Sequence, residues 1–129
     1  MISKYIISII LFPIVDAFYL KSIGGEYNKM VKNIQGDDIE FNIIYAVLCY
    51  ICLLALLNYF IIKDNKNYME AFFLGFGIYG VYEFTNGAIL KKWELWSITI
   101  DTLWGGILFS LVTFITYKLD KAINKQEIL

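Results

Sequence analysis

The sequence contains no histidine and no arginine, so all 11 of its cationic side chains are lysines. Without histidine, the chain has no histidine-ligated metal site and no histidine general base. Its formal net charge of −1 provides no large basic surface of the kind that binds nucleic acid. We therefore predict no nucleic-acid partner and no bound cofactor.

The chain has only two cysteines, Cys49 and Cys52, and both lie within an apolar run. On a helix they are one turn apart, which is the arrangement of a dithiol relay in four-helix membrane oxidoreductases of the vitamin K epoxide reductase type. The chain has no second cysteine pair to exchange electrons with them, and apolar surroundings suppress the reactive thiolate. The interpretation that we favour is two small apolar side chains in a packed or lipid-facing helix.

Apolar side chains, in contrast, are abundant: hydrophobic residues make up 59% of the 129 positions, and the mean hydropathy is +0.61. A soluble domain is about half apolar, so this composition indicates a membrane protein. Four apolar runs have about the 20 residues that a helix needs to cross the hydrocarbon core. We predict an all-α fold, a four-helix transmembrane bundle that forms a single integral membrane domain over residues 1–129. The expected spans cover residues 4–21, 41–62, 68–90 and 95–117.

The first apolar run is interrupted by a proline and by Asp16, and no convincing cleavage site follows it, so we interpret it as a span and not as a signal peptide. After it, Ile23, Tyr27 and Met30 recur at helical spacing among polar residues. This pattern is typical of a short amphipathic helix lying at the membrane interface. We place that helix at residues 23–35, between the first and second spans, with an irregular polar loop as the alternative.

An even number of spans puts both termini on one side of the membrane. That side would carry six lysines and the opposite side five. The excess favours cytoplasmic termini by the positive-inside rule. The predicted localisation is therefore an integral, multi-pass membrane protein with cytoplasmic termini.

Residues 75–80, GFGIYG, satisfy the G-x-G-x-x-G spacing of dinucleotide-binding proteins. That fingerprint requires a strand before it and a helix after it, whereas here it lies inside a predicted transmembrane helix. Glycines in such a helix let neighbouring helices approach closely. We therefore expect this glycine stripe to pack against another helix, and homodimerisation through it is one form that such packing can take.

Three acidic side chains lie at depths where a span normally carries only hydrocarbon. Counting 1.5 Å per residue from the polar connections, Asp16, Glu83 and Asp101 lie roughly 7, 12 and 10 Å from the same membrane surface. Burying a carboxylate at that depth costs free energy, so such a residue normally has an interaction partner or a functional role. Three carboxyl groups together require a proton on at least one of them or a bound cation. We predict an intramembrane acidic chamber that opens toward the connections at 21–40 and 91–94. The candidate ligand-binding residues are Asp16, Glu83, Thr85, Asn86, Asp101 and Trp104.

The same polar residues carry a family pattern. Asp16 stands late in the first helix, an Asp-x-x-Trp-Gly pattern covers residues 101–105, and a tyrosine–acid–x–Thr–Asn–x–Ala–x–Leu–Lys–x–Trp pattern covers residues 82–93. With these motifs the sequence resembles, over nearly its whole length, domain of unknown function 2177, a family of small predicted membrane proteins. Glu83 stands where that family usually has Asp, and Tyr19 where it usually has Trp. The resemblance implies a four-helix integral membrane protein and supplies no function.

Three functional hypotheses remain open. An acidic chamber can bind or transport a cation, a proton or a small amphiphile, and this is the hypothesis that we favour. A pair of carboxyl groups can instead serve as general acid and general base in a membrane-embedded, lipid-modifying enzyme. The third hypothesis is a structural or assembly role in which the acids specify helix pairing. The expected partners are the lipid bilayer, a small cation or lipid ligand, and a second copy of the chain.

Overall fold

The computed structural model describes residues 3–128, and the side chains of residues 3–125. Every regular element in that part of the chain is a helix. Four helices follow in chain order, with a π-helical turn that continues the second: α1 (Lys4–Gln35), α2 (Ile43–Leu57), the turn (Asn58–Ile62), α3 (Tyr68–Ile89) and α4 (Leu95–Ile128). The predicted all-α helical bundle is confirmed.

Polar side chains begin the first three helices, because the first turn of a helix leaves backbone N–H groups without partners. Ser3 and Asn42 accept hydrogen bonds from backbone N–H groups two or three positions later, at the starts of α1 and α2. Asn67 and Glu70 form a reciprocal capping box at the start of α3. The short polar connections therefore fix where these helices begin.

Helices α3 and α4 form the most extensive pair in the bundle, and glycines allow their close approach. A Cβ atom at Gly75 would collide with the carbonyl oxygen of Gly105, and one at Gly106 would lie 2.6 Å from the Phe72 ring. Helix α1 packs against α4, and α2 with its π-helical turn packs against α1. The principal contacts thus run α2–α1–α4–α3, and Gly75 serves helix packing within the chain.

Three of the described helices are long and apolar enough to cross a membrane: Lys4–Gln35, Ile43–Ile62 and Leu95–Lys125. The predicted first, second and fourth spans fall in these helices. Helix α3 has 22 residues and is about 33 Å long, but Glu83, Asn86 and several glycines make it less apolar. The region predicted as the third span is therefore helical, and its crossing of the membrane stays a prediction.

The separate interfacial helix predicted at residues 23–35 does not form. Helix α1 continues without interruption through this segment and ends at Gly36, whose φ of 89° is left-handed. The apolar side chains of the segment contact the connection between α3 and α4: Met30 is 1% exposed, and its sulfur accepts a hydrogen bond from the Glu94 N–H. The apolar stripe that suggested a membrane-surface helix instead packs against the rest of the protein.

The apolar core occupies the half of the bundle nearer the chain termini. Its fully buried side chains come from all four helices and from the π-helical turn: Phe12, Leu57, Ile62, Ala71, Leu108, Phe109 and Val112. Many other large apolar side chains point outward, and Phe18 and Phe41 are each 73% exposed. An apolar outer surface of this kind suits a chain that is surrounded by lipid.

Candidate functional site

Asp16 joins three helices through its two carboxylate oxygens. It lies on α1 and is 5% exposed. The Tyr50 hydroxyl of α2 donates to its Oδ2 at 2.5 Å, and the Trp104 indole N–H of α4 donates to its Oδ1 at 2.9 Å. Neutral donors thus satisfy both oxygens of this buried acid, and one of these donors is Trp104, a predicted residue of the candidate site.

Glu83, on α3, is fully buried, and only one of its two carboxyl oxygens accepts hydrogen bonds within the described part of the chain. Its Oε1 accepts from the Trp93 indole N–H at 3.0 Å and from the Ser97 hydroxyl at 2.8 Å. Its Oε2 is also buried and has no hydrogen-bond partner among the described residues. A buried carboxyl oxygen without a partner costs about 1–3 kcal/mol or more, so this atom is an unsatisfied point of the polar layer.

Asp101 lies on α4, one helical turn after Ser97, which donates to Glu83. The Tyr19 hydroxyl donates to its Oδ1 at 2.9 Å, and its carboxyl group lies beside that of Glu83. The Tyr19 ring stacks on Trp104 with 4.6 Å between centroids and 11° between planes. The three predicted acids are therefore brought together in one layer, in which the stacked rings link Asp16 to Asp101.

Neutral groups surround this acidic layer, and the described lysines form their ion pairs elsewhere. Those pairs join exposed residues: Lys29 with Glu26, Lys32 with Asp38, and Lys66 with Glu70. Lys92, at the rim, donates to the backbone oxygen of Asn33. Indole and hydroxyl donors thus provide the polar contacts of the acids.

The two neutral candidates on α3 lie away from the carboxylates. Thr85 is exposed and lines an apolar surface groove of about 500 Å³ beside Phe84 and Ala88. Asn86 is half-buried beside the Tyr82 hydroxyl. The structure does not bring Thr85 to the acids, and it places Asn86 at the edge of the layer.

The predicted opening of the chamber is covered. The hydroxyls of Tyr27 and Tyr82 are hydrogen-bonded at 2.8 Å, and both rings contact Trp93 edge-on, with centroids 5.9 and 6.1 Å away. Trp93 in turn donates to Glu83. The end of α1 and the α3–α4 connection thus close the layer, so access to Glu83 requires Trp93 to move.

Sequence reasoning missed several hydrogen-bond donors of the acids. Tyr50 lies on α2, whose almost uniformly apolar sequence does not indicate which of its side chains faces the acids. Trp93 lies in the connection between α3 and α4, where a tryptophan is typical of the membrane interface. Ser97 could have been found, because it precedes Asp101 by four residues and so shares its face of α4.

Among the described residues, no group of three or more acidic or cysteine side chains is arranged to hold a metal ion. Cys49 and Cys52 are exposed free thiols on α2, as expected for side chains that face lipid. The arrangement is instead suited to hold a proton, because it combines adjacent carboxyl groups with hydrogen-bond donors.

Comparison with known proteins places the chain in a family. The family model described as "Predicted membrane protein (DUF2177)" matches residues 1–118, which include Asp16, Glu83 and Asp101. No curated protein and no solved structure is significantly similar to the chain. With three apolar helices able to span a bilayer and a family match over most of its length, the chain belongs to the DUF2177 family of integral, multi-pass membrane proteins.

Proposed function

We propose that this membrane protein binds a proton, which Glu83 and Asp101 share. The observation that carries the proposal is the Glu83 Oε2 atom, which is buried without a hydrogen-bond partner among the described residues. Asp101 lies one helical turn after Ser97, which donates to the other carboxyl oxygen of Glu83. Two adjacent carboxylates in a medium of low dielectric repel each other strongly. One proton between them removes a charge and supplies the missing hydrogen bond, as in other paired carboxyl sites.

The surroundings of Glu83 favour a proton over a larger cation. Trp93 and Ser97 direct donor hydrogens at Oε1, and the side chain is 0% exposed. A metal cation needs several oxygen ligands that point lone pairs at it, whereas these donors point hydrogens. A small amphiphile would need a cavity beside the carboxyl, whereas two surface grooves formed by described residues, of about 500 and 530 Å³, lie on other parts of the bundle.

We also infer that α3 crosses the membrane as a fourth span. Its length of about 33 Å matches the hydrocarbon core of about 30 Å, and it pairs with α4, which is itself a candidate span. Glu83, the acid that lies farther inside this helix, faces α4 and not lipid. Four spans would put both termini on one side, and the excess of six lysines over five supports a cytoplasmic location for that side.

Infrared spectroscopy of the purified protein tests the shared proton. The carbonyl stretch of a protonated carboxyl group, sensitive to exchange into D2O, is expected at neutral pH. It should disappear in Glu83→Gln and in Asp101→Asn, because in each variant an amide N–H takes the place of the shared proton. Both substitutions preserve side-chain shape, so the fold is expected to remain.

The matched control is Asp37→Asn, which alters an exposed acid near the end of α1. This variant should keep the protonated-carboxyl band at full intensity. Absence of the band from the wild-type protein at neutral pH would overturn the proposal, as would its persistence in both site variants.

A further inference from the structure

A second polar site lies at the opposite end of the bundle from the covered entrance. Lys118, Lys121 and Lys125 follow one another at i, i+3 and i+7 on α4, so they share one face of that helix. Together with side chains from the start of α3 they line a groove of about 530 Å³. The lining residues are Tyr68, Phe114, Tyr117, Lys118, Lys121, Ala122 and Lys125.

Aromatic rings form the floor of this lysine groove. Tyr68 and Phe114 meet edge-on with 6.2 Å between centroids, and the Lys118 ammonium lies 5.2 Å from the centre of the Phe114 ring. The Tyr117 hydroxyl donates to the Lys66 carbonyl at 2.6 Å, which ties α4 to the connection before α3. The groove is therefore formed by α4, the start of α3 and the connection before α3, and not by a row of lysines on a single helix.

Its depth places the groove at the membrane surface. Helix α4 has 34 residues and is about 51 Å long, whereas the hydrocarbon core is about 30 Å thick. The apolar part of α4, residues 95–117, fills the core, so the three lysines emerge at the level of the lipid headgroups. The Tyr68 and Phe114 rings, 51% and 46% exposed, lie just below them at acyl-chain level.

We propose that the lysine groove binds the headgroup of an anionic phospholipid. The lipid phosphate interacts with Lys118, Lys121 and Lys125, and the first segments of its acyl chains lie against Tyr68 and Phe114. Charge complementarity selects an anionic lipid, because three cations converge on one cleft. The nearby acid Asp120 is turned to Asn124, whose amide donates to it at 2.6 Å.

The proposal is tested on the full-length protein in detergent, with thermal unfolding measured during titration with short-chain lipids. Phosphatidylglycerol is expected to stabilise the wild-type protein at lower concentrations than phosphatidylcholine. The triple variant Lys118→Gln/Lys121→Gln/Lys125→Gln should bind phosphatidylglycerol about 100-fold more weakly. The matching Lys→Arg triple variant keeps the charge and should retain binding.

Two controls separate this site from general charge effects and from a free anion. The variant Lys21→Gln/Lys29→Gln/Lys91→Gln removes the same charge from the other end of the bundle and should leave the lipid preference intact. Inorganic phosphate at equal concentration should stabilise the protein much less than the lipid does. If both glutamine variants respond equally to phosphatidylglycerol, the proposal that the lysine groove is the lipid site is wrong. If inorganic phosphate stabilises the protein as much as the lipid does, the assignment of the site to a lipid is wrong.

Discussion

The indole of Trp104 stacks on the ring of Tyr19, with 4.6 Å between centroids and 11° between planes. Each of these stacked side chains donates a hydrogen bond to a different acid: Trp104 to Asp16 and Tyr19 to Asp101. Since a displacement of one ring displaces the other, the positions of the two carboxyl groups are coupled. The helix pair α1–α4 is therefore held together by polar contacts at this level.

Removing the Trp104 donor should destabilise the protein measurably. Trp104→Phe retains an aromatic ring beside Tyr19 and leaves Asp16 with one donor fewer, which we expect to lower the free energy of unfolding by about 2–3 kcal/mol. The change is measured by chemical unfolding in detergent, monitored by far-UV circular dichroism so that the signal does not depend on tryptophan. Trp96→Phe is the control, because the Trp96 indole donates at 2.9 Å to the exposed Glu94 and its loss should cost well under about 1 kcal/mol. Equal effects of the two substitutions would contradict this account of Asp16.

The Tyr50 hydroxyl should prove to be a structural contact between α2 and α1. Tyr50→Phe removes its donor to Asp16 without creating a cavity, and the expected loss is about 1–3 kcal/mol of unfolding free energy. Tyr45→Phe makes the same chemical change at a position that is 71% exposed, so it should be nearly neutral. A neutral Tyr50→Phe, measured in the same unfolding assay, would show that α2 does not depend on this contact.

Alanine substitutions at Gly75 and Gly77 should change the stability of the protein in opposite directions. Gly75→Ala places a Cβ atom against the Gly105 backbone, so α3 and α4 must separate, and we expect a loss of about 1–3 kcal/mol. Gly77→Ala meets nothing within 4 Å and should stabilise α3 by about 0.5–1 kcal/mol, because alanine favours a helix interior. Thermal unfolding of the two variants compares them directly. If Gly77→Ala were the more damaging change, the stripe would have to pack against a second molecule rather than against α4.

The depth of the acids could be predicted from the sequence, whereas their partners could not. A fixed rise of 1.5 Å per residue is enough to place Asp16, Glu83 and Asp101 at one level, and the structure brings them together. The donors depend on how each helix is rotated about its axis. On α2, an almost uniformly apolar sequence gives no sign of that rotation, so it does not indicate that Tyr50 faces the layer while Tyr45 is 71% exposed.

Thr85 illustrates a limit of reasoning from depth alone. It is two residues from Glu83, hence about 200° around the helix axis from it, and the structure accordingly places it on the outer face of α3. Asn86, three residues from Glu83, lies nearer to the layer. Helical periodicity, applied as strictly as depth, would have excluded Thr85 from the candidate site.

The last prediction concerns the continuity of α1. An uninterrupted α1 lets residues 23–35 cover the acids, whereas a separate helix would lie on the membrane surface. Met30 is 1% exposed because it packs against the α3–α4 connection, where its sulfur accepts from the Glu94 N–H. Met30→Ala should therefore cost about 2–5 kcal/mol, the usual effect of truncating a buried methionine. Met69→Ala, at a position that is 51% exposed, should cost well under half as much in the same unfolding assay. A separate helix on the membrane surface would expose both methionines to lipid, and the two substitutions would then have similar, small effects. The difference between them thus reports whether the end of α1 closes the entrance to Glu83.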